Sequence, residues 1–325
     1  PVTLENNTYT TRIDANLTDT QRLFGRLTLT RNTQTNGLQQ FPGDADSQRL
    51  DDKSYQVAIG HTWVLGTSFT NQATFGYSRQ KWFFPVPSSA AYPISYTFGV
   101  IQAPFPSIVY QDRDAIVPTL RDDVTWTNGG HLLQFGASFK PIRQNTTLVN
   151  DFNFPTVGLG GGLTSLNSTF RPTGILSTST TSTSNWDAAF ALALGRISAL
   201  TTRYVFDTEG NAQPLGTGRK RNWAYDETEL YVQDNWRIRS DLSLNFGVRW
   251  QLYPAPYDKN GFQTGTNVSL DELFAVRVAN AAAGISGNNA EPLLTYTLSG
   301  KGNDGDPMYK TDWNNFSPRV GFNYN

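Results

Sequence analysis

The 325-residue chain contains no cysteine, which excludes disulfide frameworks and thiolate metal sites. It has only two histidines, His61 and His131, and neither is accompanied by the nucleophile and acid that a catalytic site requires. The glycine-rich residues 158–162 lack the preceding strand and following helix of a phosphate-binding loop. The sequence therefore predicts a protein that is not an enzyme and carries no cofactor.

Charge and long apolar runs are also scarce. Charged residues make up 16% of the chain, against roughly 25% in soluble globular proteins. The net charge of -1 shows no basic excess of the kind that nucleic-acid binding needs. The longest apolar runs, such as residues 188–194, are far shorter than the roughly 18 residues of a membrane-spanning helix. Nucleic-acid binding and a helical membrane protein are thus both disfavoured.

What the chain has instead is strict two-residue alternation. In residues 242–253 apolar side chains such as Phe246 alternate with polar ones such as Asn245, as in a strand with one apolar and one polar face. Eight further segments follow the same pattern: 9–17, 23–31, 54–65, 69–77, 116–127, 133–140, 228–238 and 317–324. Several reach the roughly 9–11 residues that a tilted transmembrane strand needs. We therefore predict nine such strands.

The connections alternate in length as regularly as the side chains alternate in polarity. Very short turns at 19–21, 65–67, 128–130 and 239–241 are separated by long segments at 32–52, 80–112, 144–221 and 254–315. Outer-membrane barrels have short periplasmic turns and long extracellular loops. The sequence thus predicts an all-β, antiparallel, up-and-down transmembrane β-barrel. A soluble β-sandwich with large insertions remains the alternative.

The long segments contain predicted elements of their own. Ser269 and Glu272 form a capping box before an apolar run that Gly284 ends, which predicts a short amphipathic helix. A second helix is predicted over residues 186–194, ended by Gly195. Residues 196–206 look like a strand, but the alternation of turns and loops places them outside the barrel wall.

Three segments resemble one known family. Residues 231–237 with 242–250 are similar to a hairpin of TonB-dependent transporter barrels, residues 126–136 resemble a second hairpin, and residues 316–322 resemble a later strand. Their order, together with the helix ending at Gly195, resembles the Oar-like branch most. The resemblance implies a barrel of about 22 strands and an N-terminal plug that contacts TonB. The chain would then be a partial barrel (1–325), with the plug, the signal peptide and the C-terminal strands absent.

Two sets of candidate binding residues follow from the pattern. Polar residues on the predicted strands would line the lumen: Arg12, Arg26, Gln72, Gln134, Asn245 and Arg249. An aromatic, proline-rich long segment would bind a ligand by stacking, through Trp82, Phe84, Tyr92, Tyr96 and Tyr110. Packing of these rings against other loops is the alternative, and it is favoured.

Two acidic pairs, Asp44 with Asp46 and Asp304 with Asp306, are weak candidates for calcium because they lie in glycine-containing loops without the full spacing of a calcium-binding loop. Ordinary solvated turns explain them better. No metal site is therefore predicted.

The leading functional hypothesis is an outer-membrane receptor that takes up a ligand too large for porins, driven through TonB. Its partners would be membrane lipid and lipopolysaccharide, TonB through the plug, and an oligosaccharide, a peptide or a siderophore-like ligand. An adhesion or assembly barrel without energised transport is the second hypothesis, and a soluble β-rich carbohydrate-binding protein is the third. The expected location is the outer membrane of a Gram-negative-type bacterium.

Overall fold

The computed structural model describes residues 4–35, 49–85, 95–98, 110–149, 156–159, 170–172, 174, 180–285 and 292–324. The strands and helices are β1 Leu4–Asn16, β2 Gln21–Thr35, β3 Arg49–Asp52, β4 Tyr55–Leu65, β5 Phe69–Phe84, β6 Ser95–Phe98, β7 Tyr110–Asn128, β8 His131–Val149, β9 Thr156–Leu159, α1 Thr180–Ala193, β10 Ile197–Thr201, β11 Arg219–Arg239, β12 Leu242–Leu252, β13 Tyr257–Asp258, β14 Thr264–Thr266, α2 Leu270–Ala282, β15 Tyr296–Leu298 and β16 Phe316–Tyr324. A 3-10 turn covers Lys301–Asn303.

One antiparallel sheet dominates the structure. Its strands follow the order β1-β2-β3-β5-β7-β8-β11-β12-β16, and β4 lies between β2 and β5 in line with β3. The pairs Asn32–Asp52 and Leu29–Tyr55 keep one register, so β3 and β4 form one crossing that is interrupted only at Lys53 and Ser54. With β13 counted as a short extension next to β12, the wall has nine crossings. The predicted nine strands are confirmed.

The strands are longer than predicted, mainly toward the long loops. β11 covers 21 residues, where alternation indicated only 228–238. In β7 the residues Asp112, Arg113 and Asp114 are polar on both faces, yet each pairs with β8. Backbone pairing continues there although neither face is apolar, so the periodicity that marks a transmembrane strand is lost. The predicted long connections are correspondingly too long.

The hairpins are staggered in one direction. Leu65 ends β4 two residues beyond Trp63, which pairs with Gln21 at the start of β2. Asn128 ends β7 two residues beyond Trp126, the partner of Phe69 at the start of β5. Two residues over the two strands of a hairpin are a shift of one residue per strand. With a rise of about 3.4 Å per residue and a strand spacing of about 4.8 Å, this shift corresponds to a tilt of about 35°. This is the tilt that barrel closure requires.

The sheet has one strongly apolar face and almost no interior. Among the described residues only Val124, Ala191 and Ala224 are buried hydrophobic residues. Large apolar side chains on one face of the sheet are exposed instead, including Ile59, Phe75, Leu120, Phe135, Phe139, Leu230, Phe246 and Val248. Paired residues of antiparallel strands point to the same side, so the registers join these side chains into one band. We call this side the apolar face and the opposite side the polar face.

Smaller elements lie in the connections between the long strands. β6, β9 and β10 form a separate three-stranded sheet, and β14 pairs with β15. Residues 197–201 therefore lie outside the wall, as predicted, where they pair with β9. Among the residues that the structure describes, no helix has the length and apolar character needed to cross a membrane.

Both predicted helices form. Ser269 caps α2 and accepts a hydrogen bond from the Glu272 amide at 3.3 Å, and Gly284 follows the helix with φ 72°. α1 begins at Thr180, six residues before the predicted start at 186. Gly195, with φ 66°, follows its end as predicted.

Candidate functional site: the polar face of the sheet

The six residues predicted to line a lumen all lie on the polar face. Arg12 pairs with Arg26 in the β1–β2 register, and Asn245 pairs with Asn235 in the β11–β12 register. The intervening registers connect these two ends through Gln72 of β5 and Gln134 of β8, while Arg249 follows Asn245 at the same parity of β12. That this face lines a lumen remains a prediction, but the residues do form one surface.

A hydrogen-bonded cluster occupies the middle of the polar face. The Arg121 guanidinium donates to both carboxylate oxygens of Asp123, at 2.6 and 3.1 Å, and the Tyr231 hydroxyl donates to Asp123 at 2.7 Å. Gly136 lies between Asp123 and Tyr231 in the register. A Cβ atom on this glycine would come within 2.6 Å of both the Tyr231 ring and the Asp122 carbonyl oxygen. Gly136 thus leaves the space in which the tyrosine ring crosses from β11 to β7.

A second group of contacts continues toward the edge strand β16. Arg249 lies 3.3 Å from Glu229, whose other carboxylate oxygen accepts a hydrogen bond from Gln251 at 3.0 Å. Lys140 lies 3.5 Å from Glu227 on the neighbouring strand. The polar face is therefore a surface of paired charges and amides.

The groups on this face can take part in polar recognition of a partner. Its ion pairs stay partly solvated, with the side chains of Arg249 and Glu229 50% and 26% exposed. Such groups can exchange their internal hydrogen bonds for bonds to a polar partner at small net cost. Within the described residues, neither histidine lies near a serine arranged as a nucleophile, and their side-chain partners are Gln21 and Asp234.

The predicted aromatic site is not assembled in one place. Trp82 and Phe84 belong to β5 and Tyr110 belongs to β7, so three of the five residues lie in strands of the main sheet and not in a loop. Trp82 and Phe84 point to the polar face, whereas Tyr110 points to the apolar face, where it packs edge-on against Phe83 at 5.5 Å. Tyr96 lies in β6, in the separate sheet. The loop placement was wrong because β5 and β7 extend beyond their alternating segments; Tyr92 lies outside the described residues.

The acidic pairs do not form a metal site in the part that the structure describes. No group of three or more His, Cys, Asp or Glu side chains is placed there to hold an ion. The loop of Asp304 and Asp306 is closed by its own backbone, with the Gly300 amide donating to the Asp306 carbonyl oxygen at 2.8 Å. Asp304 has a positive φ of 51°. Asp44 and Asp46 lie outside the described residues.

Comparison with known families decides the class of this sheet. A family model described as "Outer membrane beta barrel domain" matches residues 1–325. The chain belongs to the outer-membrane β-barrel family. It is therefore a protein of the bacterial outer membrane, and the soluble β-sandwich and the soluble carbohydrate-binding protein are both ruled out.

Solved structures similar to this outer-membrane β-barrel protein are transporters and receptors. The outer membrane transporter YddB from Escherichia coli is 15% identical (76% of this chain, 27% of that chain, TM-score 0.40). BauA, the ferric preacinetobactin receptor from Acinetobacter baumannii, is 10% identical (79% and 35%, TM-score 0.42), and the ferric-catecholate import receptor Fiu from E. coli K12 is 14% identical (99% and 43%, TM-score 0.42). The chain spans less than half the length of each. No curated protein matches the sequence.

An acid–histidine pair on the apolar face of the barrel protein was missed by the sequence analysis. His131 Nδ1 lies 2.7 Å from Asp234 Oδ2, and the Trp236 ring stacks on the His131 ring at 5.1 Å. Both polar residues lie near the short turns. Each is a polar residue at a position where the alternation of its strand calls for an apolar side chain. This departure was the signal available in the sequence. The pair could not be recognised because it joins residues 103 positions apart.

A partly buried ion pair holds the helix α1 of the barrel protein. Arg171 donates through Nε to Asp187 at 2.7 Å and through Nη2 to its other oxygen. This bidentate contact holds the pKa of Asp187 below its usual range. Phe170 and Trp186 pack on Phe190, at 5.5 and 4.9 Å. These contacts explain why a segment rich in serine and threonine is helical.

Proposed function

We propose that this chain forms part of the wall of a TonB-dependent outer-membrane receptor of the Oar-like branch. The receptor would import a ligand too large for porins, by binding it and then releasing it through a gated lumen. Its partners would be membrane lipid and lipopolysaccharide on the apolar face, TonB through a plug domain, and an oligosaccharide, a peptide or a siderophore-like ligand. No bond-making chemistry is assigned to it.

The observation that carries this proposal is that the three segments resembling TonB-dependent transporter barrels lie next to each other in the sheet. They lie in β7–β8, in β11–β12 and in β16, which are consecutive in the order of the sheet. Segments spread over almost 200 residues thus build one continuous wall. His131 and Asp234, which make the contact described above, come from two different segments of the three. A shared tertiary contact supports the resemblance more strongly than separate sequence matches do.

The edges of the sheet support a larger barrel. Within the described residues β1 and β16 are not paired with each other. In a bilayer the free backbone groups of an edge strand have no water to bond, so each edge needs a partner. Further strands would close the wall, and the polar face would then surround a lumen large enough for a plug.

Uptake tests this proposal directly. The complete reading frame is expressed in a Gram-negative host with and without TonB, and three labelled probes are supplied: a ferric catecholate siderophore, a maltodextrin and an oligopeptide. We expect one probe to accumulate only when both the receptor and TonB are present. Accumulation of none of them, or equal accumulation without TonB, would contradict energised import.

A barrel that serves adhesion or assembly is the second candidate. The observation in its favour is the ordered structure between the long strands, which includes the β6-β9-β10 sheet and the capped helix α2. Such surfaces suit contacts with other macromolecules. Receptor-dependent cell aggregation that persists without TonB, together with no uptake, would favour this candidate.

A further inference from the structure

Three cations are neighbours across three strands of the apolar face. The register places Arg31 of β2 opposite Lys53, because the flanking pairs Asn32–Asp52 and Leu29–Tyr55 enclose them. The Lys53 amide donates to the Lys81 carbonyl oxygen at 2.9 Å, so Lys53 and Lys81 are also directly opposite. Laterally paired residues lie about 5 Å apart. We call Arg31, Lys53 and Lys81 the cationic row.

The row is poorly neutralised by the protein itself. Like charges placed directly opposite each other destabilise a sheet. Within the described residues no acidic side chain lies within ion-pair distance of Arg31 or Lys53, both of which are exposed. Lys81 reaches Asp112 and Asp114 only at 3.9 and 4.0 Å, and Asp114 is already held by Arg79 at 2.8 Å. The arrangement therefore leaves positive charge available for an external anion.

The surroundings of the row show where the rest of this anion lies. The next residues of the same face toward the short turns are Tyr9, Leu29, Tyr55 and Arg79. Arg79 is held by Asp114 at 2.8 Å, and Tyr55 stacks on Tyr77 at 5.8 Å. Leu27, Ile59 and Phe75 follow, all about 40% exposed. In order, then, the face presents the cationic row, a layer of tyrosines with the neutralised Arg79, and an apolar wall. This order matches an amphiphile whose anionic head lies above acyl chains.

We propose that the cationic row is a binding site for the phosphate groups of a lipid A-type glycolipid, whose acyl chains lie on Leu27, Leu29 and Ile59. Two or three cations about 5 Å apart can contact one phosphate together, through charge-assisted hydrogen bonds. The orientation that puts this end of the strands in the outer leaflet rests on the function proposed above. The lipid site itself does not require import.

The test measures lipid binding to the full-length protein in detergent, by native mass spectrometry. Diphosphoryl lipid A is compared with dephosphorylated lipid A of the same acyl pattern, with phosphatidylglycerol and with inorganic phosphate as a competitor. The variant Arg31→Gln/Lys53→Gln removes two cations of the row. The matched control Arg22→Gln/Arg26→Gln removes two cations from the polar face of the same strand, β2.

We expect the row variant to bind diphosphoryl lipid A at least tenfold more weakly than wild type, and the control to stay within twofold. Wild type should bind the dephosphorylated lipid as weakly as the row variant binds the diphosphorylated one. The site would be overturned if wild type bound both forms of lipid A equally, if the row variant and the control bound diphosphoryl lipid A equally, or if wild type bound phosphatidylglycerol as tightly as diphosphoryl lipid A. Full competition by inorganic phosphate would indicate a free-anion site instead. Heat-modifiable electrophoretic mobility confirms that each variant is folded. Lipid binding without TonB-dependent uptake would contradict only the proposed function.

Discussion

Neighbouring residues of β12 provide the simplest check of the two faces. Phe246 is 41% exposed on the apolar face, and Asn245 points to the polar face, where it donates to Asn235. Phe246→Arg places a charge toward lipid, which costs about 2–4 kcal/mol near the bilayer midplane and less toward its edges. Asn245→Arg should cost far less. Denaturant unfolding from lipid vesicles measures both, and equal losses would show that the faces are assigned wrongly.

Asp234 shows how a polar side chain is tolerated on the apolar face. It is 6% exposed, and its bond to His131 leaves Oδ1 without a hydrogen-bond partner in the part that the structure describes. Removing the His131 ring by His131→Ala would leave the whole carboxylate buried and unpaired, at a cost of about 1–3 kcal/mol.

A double-mutant cycle isolates this contact. We expect the double variant His131→Ala/Asp234→Ala to lose less free energy of unfolding than the sum of the two single variants. Each single variant leaves one partner unpaired, whereas the double variant leaves none. Unfolding in vesicles measures the three free energies. Strict additivity would mean that the 2.7 Å contact contributes no coupling.

At the scale of elements, α1 depends on a contact that responds to pH. The Arg171 guanidinium holds the pKa of Asp187 below its ordinary value of about 4. The stabilisation is therefore present above pH 4 and is lost as the pH falls through the lowered pKa. Hydrogen exchange of residues 180–193 should accelerate in that acidic window. Asp187→Asn removes the titration, so its exchange should be fast throughout and show no such step.

The elements that the sequence predicted well are those whose pattern is local. Alternation identified nine strands because a wall between lipid and a polar side imposes a period of two. Ser269 and Glu272 identified the start of α2 because a helix cap is formed by residues three positions apart.

Elements that depend on distant partners were predicted poorly. The ends of β7 and β8 pair beyond the alternating region, and only the pairing partner specifies them. β6 and β9 pair in parallel although about 60 residues separate them. The cationic row requires the registers of three strands at once. No local pattern contains that information, which explains why the faces were predicted and the contacts across them were not.

At the scale of the whole molecule, the stagger of the hairpins gives the thickness of the apolar band. On β5 the apolar face presents Phe69, Ala73, Phe75 and Tyr77, interrupted only by Asn71, before Arg79 and Lys81 follow. Eight residues rise about 27 Å along the strand, or about 22 Å along the axis at a tilt of about 35°. This agrees with the apolar band of outer-membrane barrels, which is about 25 Å tall. The strands therefore extend well beyond the lipid at the end that carries the long connections.

The orientation of the wall can be tested because the chain has no cysteine. Any introduced cysteine is then a unique reporter. Glu209 is exposed in a hairpin between β10 and β11, and Thr67 and Ser240 are exposed in two short turns. We expect a membrane-impermeant maleimide to label Glu209→Cys on intact cells and to label Thr67→Cys and Ser240→Cys only after the outer membrane is permeabilised.

The two turn variants make this test stringent, because β4–β5 and β11–β12 are separate hairpins of one sheet. If the wall spans the membrane once per strand, both turns must lie on the same side. Labelling of either turn on intact cells would contradict the up-and-down topology at that hairpin. Labelling of both turns, with Glu209→Cys protected, would invert the orientation and move the cationic row to the inner leaflet. Because lipid A resides in the outer leaflet, that result would also remove the basis for the lipid site, so the orientation of the whole molecule decides where its charges act.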